Sequence, residues 1–392
     1  LIRMRIQKKE KQLLKKFLKN PTAKFIIGLI FIFALSFGFR FIPSSPQANS
    51  QGDTNVPEMK RILGSNQEDR LNATRELTQR VGVLQAQEIL QNSALPHTGE
   101  GHLAVHQIGF EAYKQYGLKS ILYCKDYFLY ACFHGTIIEA ASEQGFEAIG
   151  KMTDYCRDQD ARYFQCLHAA GHAINAMWDY KLDEALKTCD QLYEKDTQLQ
   201  DGLSSCHNGA FMENLFGVHD FGTGKETKRD WLSSDPYFPC NAFGEKYQRG
   251  CWLNQAARIY QISGGDIKKT AQLCDQVGNS QYTDWCYDNL DRQIHPLTEG
   301  STNKVLSLCG ILPQDRQPTC VHVNAVSYYS VGDPAMALKV CAVMQGEARL
   351  GCFDVITNYI SGDGSDISKK QQLCSQLQNE DANRCFSKLP KV

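Results

Sequence analysis

Hydrophobic and polar positions divide the chain into five stretches. Residues 1–24 mix basic and apolar positions. Phe25 to Phe39 is apolar almost throughout, and past Arg40 the run continues through Phe41 and Ile42 to 18 residues. That length is enough for a helix to cross hydrocarbon. Residues 43–57, PSSPQANSQGDTNVP, are polar with one charge and predict a flexible stalk. From Glu68 to Gln91, the residues Leu71, Leu77, Val81, Val83, Leu84, Ile89 and Leu90 recur at helical spacing and predict a helix, ended by Leu95-Pro96. A second helix is expected from about Gly101 to Tyr116, closed by Gly117. The two make an N-terminal helical segment, 58–123.

From 124 to 392 the pattern repeats. Short helical segments such as 183–189, 334–341 and 367–374 each end in a cysteine, and turn and N-cap residues precede them, as in Gly264-Gly265-Asp266. The sixteen cysteines fall into eight pairs: Cys124/Cys132, Cys156/Cys166, Cys189/Cys206, Cys240/Cys251, Cys274/Cys286, Cys309/Cys320, Cys341/Cys352 and Cys374/Cys385. Their first members recur every 32 to 35 residues, with one step of 51 between Cys189 and Cys240. A period in this range is the signature of stacked helical hairpins. In each unit a first helix opens near the second cysteine of a pair, and a second helix ends near the first cysteine of the next. No C-x-x-C occurs, which speaks against zinc fingers and iron–sulfur sites. Disulfides are therefore expected. Bonding within each connection uses all sixteen thiols. The competing arrangement, start to end of one hairpin, leaves out Cys124 and Cys385, and spacing alone does not decide between them.

In period and helix order, residues 124–392 resemble tetratricopeptide/Sel1-like helical repeats. The resemblance implies a right-handed α-solenoid of about eight disulfide-stapled hairpins. The consensus residues of those families are absent, so no family function is carried over.

Charge adds a direction to this all-α plan. The net charge of -1 gives no reason to expect a nucleic-acid partner. Yet Arg3, Arg5, Lys8, Lys9, Lys11, Lys15, Lys16, Lys19 and Lys24 crowd the first 24 positions. A basic flank ahead of an apolar run stays in the cytoplasm. The expectation is a single-pass signal anchor at 25–42, with residues 1–24 cytoplasmic and the rest extracytoplasmic or extracellular. A cleaved signal peptide is the competing reading, but the run is longer than a usual signal core and Pro46-Gln47-Ala48 is a poor cleavage site. Both readings place the cysteines in an oxidising compartment.

Histidine carries the candidate chemistry. Seven of the ten histidines lie between His97 and His207, and two pairs read His-x-x-x-His: His102/His106 and His168/His172. On a helix such a pair projects from one face and offers two ligands to one metal. Two residues past the second cysteine stand His134 and His168. Three past it, small residues (Gly135, Ala169, Gly209) would let a neighbouring helix or ligand come close. Seven past it stand Glu139 and Glu213. Stacking should gather His102, His106, His134, His168 and His172 as ligands, with Glu139 and Glu213 as ligands or general base. A divalent transition metal, whether zinc, iron, manganese or copper, suits imidazole with carboxylate. His207 is expected off this face. His219 and Asp220, in the insertion 216–239, are candidates for a lid.

Two functions fit. One is a membrane-anchored metalloprotein, an oxidoreductase or hydrolase. The other is a non-enzymatic solenoid adaptor that binds a protein or peptide at the cell surface. No nucleotide-binding or serine-hydrolase motif is present.

Overall fold

A computed structural model describes residues 56–97, 99–157, 161–193, 200–217, 230–362 and 367–389. The basic segment, the expected anchor and all but the last two stalk residues lie outside them, as do His219 and Asp220. Among the described residues no helix is long and apolar enough to cross a membrane.

Eighteen α-helices and a few 3-10 turns make up the regular structure of the described residues. The N-terminal segment holds α1 (Met59–Ile62), α2 (Gln67–Val81), α3 (Val83–Gln91) and α4 (Glu100–Tyr116). The periodic stretch read as one helix is thus two. Gly82, at φ 86°, breaks it, because that conformation ends an α-helix and suits glycine. Gly117 (φ 58°) closes α4 as expected.

The repeats follow as α5 (Tyr127–Gln144), α6 (Phe146–Cys156), α7 (Ala161–Met177), α8 (Leu182–Tyr193) and α9 (Gln200–Phe216). After the insertion come α10 (Gln248–Ile262), α11 (Ile267–Asp275), α12 (Ser280–Ile294), α13 (Thr302–Cys309) and α14 (Gln317–Ser330). Then come α15 (Pro334–Ala342), α16 (Gly346–Gly362), α17 (Ile367–Ser375) and α18 (Asn379–Lys388). The helix starts are written in the sequence. Asp266 caps α11 through the Lys269 amide, Asn279 caps α12 through Gln281 and Tyr282, and Asp333 caps α15 through Met336. Each cap satisfies an amide that the helix itself leaves open.

The first helices form one continuous row. Each of α4, α5, α7, α9, α10, α12, α14, α16 and α18 packs on the next. The second helices α6, α8, α11, α13, α15 and α17 each pack against the first helix that follows. Among the described residues after α9 no second α-helix precedes Cys240, and the connection to α10 carries two 3-10 turns, Cys240–Ala242 and Glu245–Tyr247. The far end of the insertion folds back here: Trp231 stacks on Phe243 at 4.8 Å, and its carbonyl accepts from Asn214. The row also meets its own beginning. Gly332, between α14 and α15, lies so close to His97 that a Cβ there would stand 2.3 Å from the imidazole.

All eight disulfides bond within connections, from Cys124–Cys132 to Cys374–Cys385. No thiol remains free, and every sulfur is buried in the shared core. One detail differs from expectation. The second cysteine sits one or two turns inside its helix rather than at its start, because a cap such as Asn279 nucleates the helix ahead of Cys286. Trp252 and Tyr328 are core residues.

Candidate metal centre

The centre is built where four first helices cross at close range. On α4 and α5, Gly109 and Gly135 face each other. A Cβ on Gly135 would stand 2.2 Å from the His106 carbonyl oxygen, and one on Gly109 2.4 Å from that of Cys132. On α7 and α9, Gly171 and Gly209 repeat the arrangement: a Cβ on Gly209 would stand 2.0 Å from the His168 carbonyl oxygen. Only glycine permits such backbone contact. His106, Gly109, Gly135 and Glu139 of one crossing therefore correspond to His168, Gly171, Gly209 and Glu213 of the other. The α5–α7 crossing lies between the two and places His134 at both.

Five imidazoles meet here. His102 and His106 are stacked by their spacing on α4, with Nε2 of one 3.0 Å from Nε2 of the other. His134 approaches from α5, its Nδ1 3.2 Å from His102 Nε2. On α7, Nε2 of His172 lies 3.1 Å from Nε2 of His168. The rings of His134 and His172 are 5.0 Å apart, and those of His134 and His168 5.8 Å. Two triads result, His102–His106–His134 and His134–His168–His172, each with three ligand nitrogens within 4.8 Å of one another. Either can hold a metal ion. A tetrahedral metal bound at about 2.0–2.1 Å spaces its nitrogens about 3.3 Å apart, close to the separations found here.

The outer nitrogens are held in place. His102 Nδ1 donates to the Phe128 carbonyl at 2.7 Å, and His172 Nδ1 donates to Glu213 Oε2 at 2.9 Å. Both rings are thus fixed as the Nδ1–H tautomer, with Nε2 as the ligating atom. This is the orienting device usual around metal-bound histidines. The Phe128 carbonyl is aimed by unusual backbone: Phe128, Leu129 and Tyr130 all have positive φ (52°, 53° and 62°) at the start of α5. Three consecutive left-handed residues without glycine cost roughly 1–2 kcal/mol each. Such strain gathers at functional sites. His97 packs at a tilt against Phe128, ring centroids 4.4 Å apart.

His106, His134 and His172 are buried, while His102 and His168 are half-buried and mark the edge open to solvent. Burial holds the His134 imidazolium well below the usual histidine range, and the surrounding His172, His102, His106 and His168 push it the same way. His134 is therefore neutral and able to ligate.

The two glutamates differ. Glu213 is fully buried and accepts from both His172 and Tyr180, whose hydroxyl lies 2.9 Å from Oε1. It orients His172 and belongs to neither triad. Glu139 is half-buried at the equivalent place on α5 and also lies outside both triads. Tyr180 and the Phe128 carbonyl were not foreseen. Tyr180 sits in the turn after α7 at φ 59°, where no spacing rule ties it to His172.

His207 stands apart, as expected. It donates from Nε2 to Asp190 at 2.9 Å, and Asp190 also accepts from Lys246 and Tyr247. Burial pushes the Asp190 carboxyl up, but these bonds together outweigh it and hold it down at about 2. Two later repeats put asparagine at the position of Gly135 and Gly209: Asn254 donates to the Asn208 carbonyl, and Asn289 accepts from the Ala257 amide. There the helix–helix contact is made by amide bonds and no imidazoles gather.

Comparison with family models, with curated proteins and with solved structures returned no match.

Proposed function

We propose that this chain is a membrane-anchored, extracytoplasmic metalloprotein, a right-handed solenoid whose first repeats carry a histidine-only metal centre. The convergence of five imidazoles into two triads supports the reading. Three neutral nitrogens leave a tetrahedral metal one open position, and the half-buried His102 and His168 put that opening toward solvent. No carboxylate joins either triad. That favours copper or zinc over manganese, which prefers oxygen ligands, and over iron sites built on two histidines and a carboxylate.

An open metal position serves a hydrolase, by activating water, or an oxidoreductase, by binding a small oxidant. In either case Glu213 holds His172 in place, and Glu139 is the carboxylate left for proton transfer. The adaptor reading draws on the stacked Tyr329 and Tyr359 of the later repeats, with Tyr359 exposed. Solenoids commonly bind peptides on such surfaces.

The test is metal content by mass spectrometry on the whole chain, expressed through an oxidising compartment, beside a His168→Ala, His172→Ala variant. A stoichiometric metal that falls in the folded variant supports the reading. Absence of metal after reconstitution with zinc, copper, iron and manganese returns the histidines to the scaffold. Protease protection of residues 1–24 in sealed membranes tests the anchor.

A further inference from the structure

We propose that the centre holds two metal ions and that the ring of His134 bridges them. The proposal rests on the metal-binding reading above and goes further, fixing stoichiometry and coupling.

The two triads are not alternative descriptions of one site. Each contains a helical i,i+4 pair of its own, His102/His106 on α4 and His168/His172 on α7, with Nε2 atoms 3.0 and 3.1 Å apart. One tetrahedral ion accommodates each pair. His134 is the single ring common to both. An imidazole has two nitrogens on opposite edges, and His134 Nδ1 is already turned to His102 at 3.2 Å. In the bridged arrangement its other nitrogen serves the α7 pair, whose rings lie 5.0 and 5.8 Å from its own. The outer anchoring follows the same plan on both sides, with His102 fixed by the Phe128 carbonyl and His172 by Glu213. Each pair's helix is also seated by a glycine crossing, α4 on α5 through Gly109/Gly135 and α7 on α9 through Gly171/Gly209.

The chemistry balances simply. The first divalent ion takes the lone pair of one His134 nitrogen. The second replaces the proton on the other nitrogen, which leaves to solvent, and the ring becomes an imidazolate between two cations. No electron is transferred. A single half-buried histidine from each pair lies at the rim, so each ion keeps its own solvent-side position.

Copper(II) is the probe. The whole chain is titrated and followed by native mass spectrometry and electron paramagnetic resonance. Two coppers should bind, and the signal should rise with the first and collapse with the second, because an imidazolate bridge couples the two spins. His102→Gln and His168→Gln change only rim ligands. Each should hold one copper with a full, uncoupled signal. Two coppers with full two-spin intensity in the wild type would overturn the bridge. Saturation at one copper, unaffected by one of the two variants, would overturn the second ion while leaving a mononuclear centre intact. No copper bound at all would remove both readings.

Discussion

Glu213 accepts a hydrogen bond from Nδ1 of His172 at 2.9 Å, and both groups are sealed from water, 0% and 2% exposed. A buried carboxylate on the far nitrogen fixes the ring and makes the near nitrogen a better donor to a metal. Glu213→Gln keeps the size and one acceptor but removes the charge. We expect metal affinity at the His134–His168–His172 triad to fall about 10- to 100-fold. Competition with a chromophoric chelator measures it, and the His102–His106–His134 triad should be little changed.

The glycine crossings are equally open to test. Gly135→Ala and Gly209→Ala each place a methyl group against a backbone oxygen, 2.2 Å from His106 and 2.0 Å from His168. Backbone cannot swing aside as a side chain can, so the helices must separate. Each substitution should destabilise by about 1–3 kcal/mol in chemical denaturation and weaken metal binding with it. Gly351→Ala, where a Cβ meets nothing within 4 Å, is the control and should do neither.

Asp291 gives a pH dependence away from the metal centre. Burial, reinforced by Asp288, pushes its carboxyl from 3.8 up to about 8, and its Oδ1 has no hydrogen-bond partner. The folded protein therefore binds a proton that the unfolded chain has released. The stability tied to this group is complete below the unfolded value, declines by up to about 1.4 kcal/mol per pH unit above it, and levels off beyond the folded one. Asp291→Asn lacks that slope. Urea unfolding of the two proteins from about pH 5 to 7.5 should show the variant gaining steadily on the wild type.

The staples should act locally. Removing one pair, as in Cys341→Ser with Cys352→Ser, opens a loop closed across 11 positions. The loss should be about 3 kcal/mol on chain-entropy grounds. Thermal unfolding measures it, and copper stoichiometry should be unaltered because the bond joins α15 to α16 and neither helix carries any of the five histidines.

How much of this was legible beforehand depends on the kind of signal. The cysteine period marks the units, and the i,i+4 histidines mark two imidazole pairs that share a helix face, because both follow from helix geometry. The glycines at 135 and 209 were read as places of close approach, and both are. The sharing of His134 was not legible, since it depends on α5 lying between α4 and α7. Nor was the left-handed turn at Phe128–Tyr130, which contains no glycine to announce it. Glu213 was read as a ligand or base. The structure turns it outward from the ligand nitrogens, toward Tyr180, a contact that only the fold of the α7–α8 turn creates. The break at Gly82 was visible as a residue but outweighed by the apolar stripe on either side.

Every disulfide joins the two cysteines that are neighbours in the sequence, across 8 to 17 positions. During synthesis the correct mate of each thiol thus follows the first within a few seconds, at about 5–20 residues per second. As the chain lengthens, at most one cysteine awaits its mate at any moment, so bonding in order of appearance yields the native set. Shuffling is needed only if a bond is missed. The repeat that builds the row also writes the schedule for closing it.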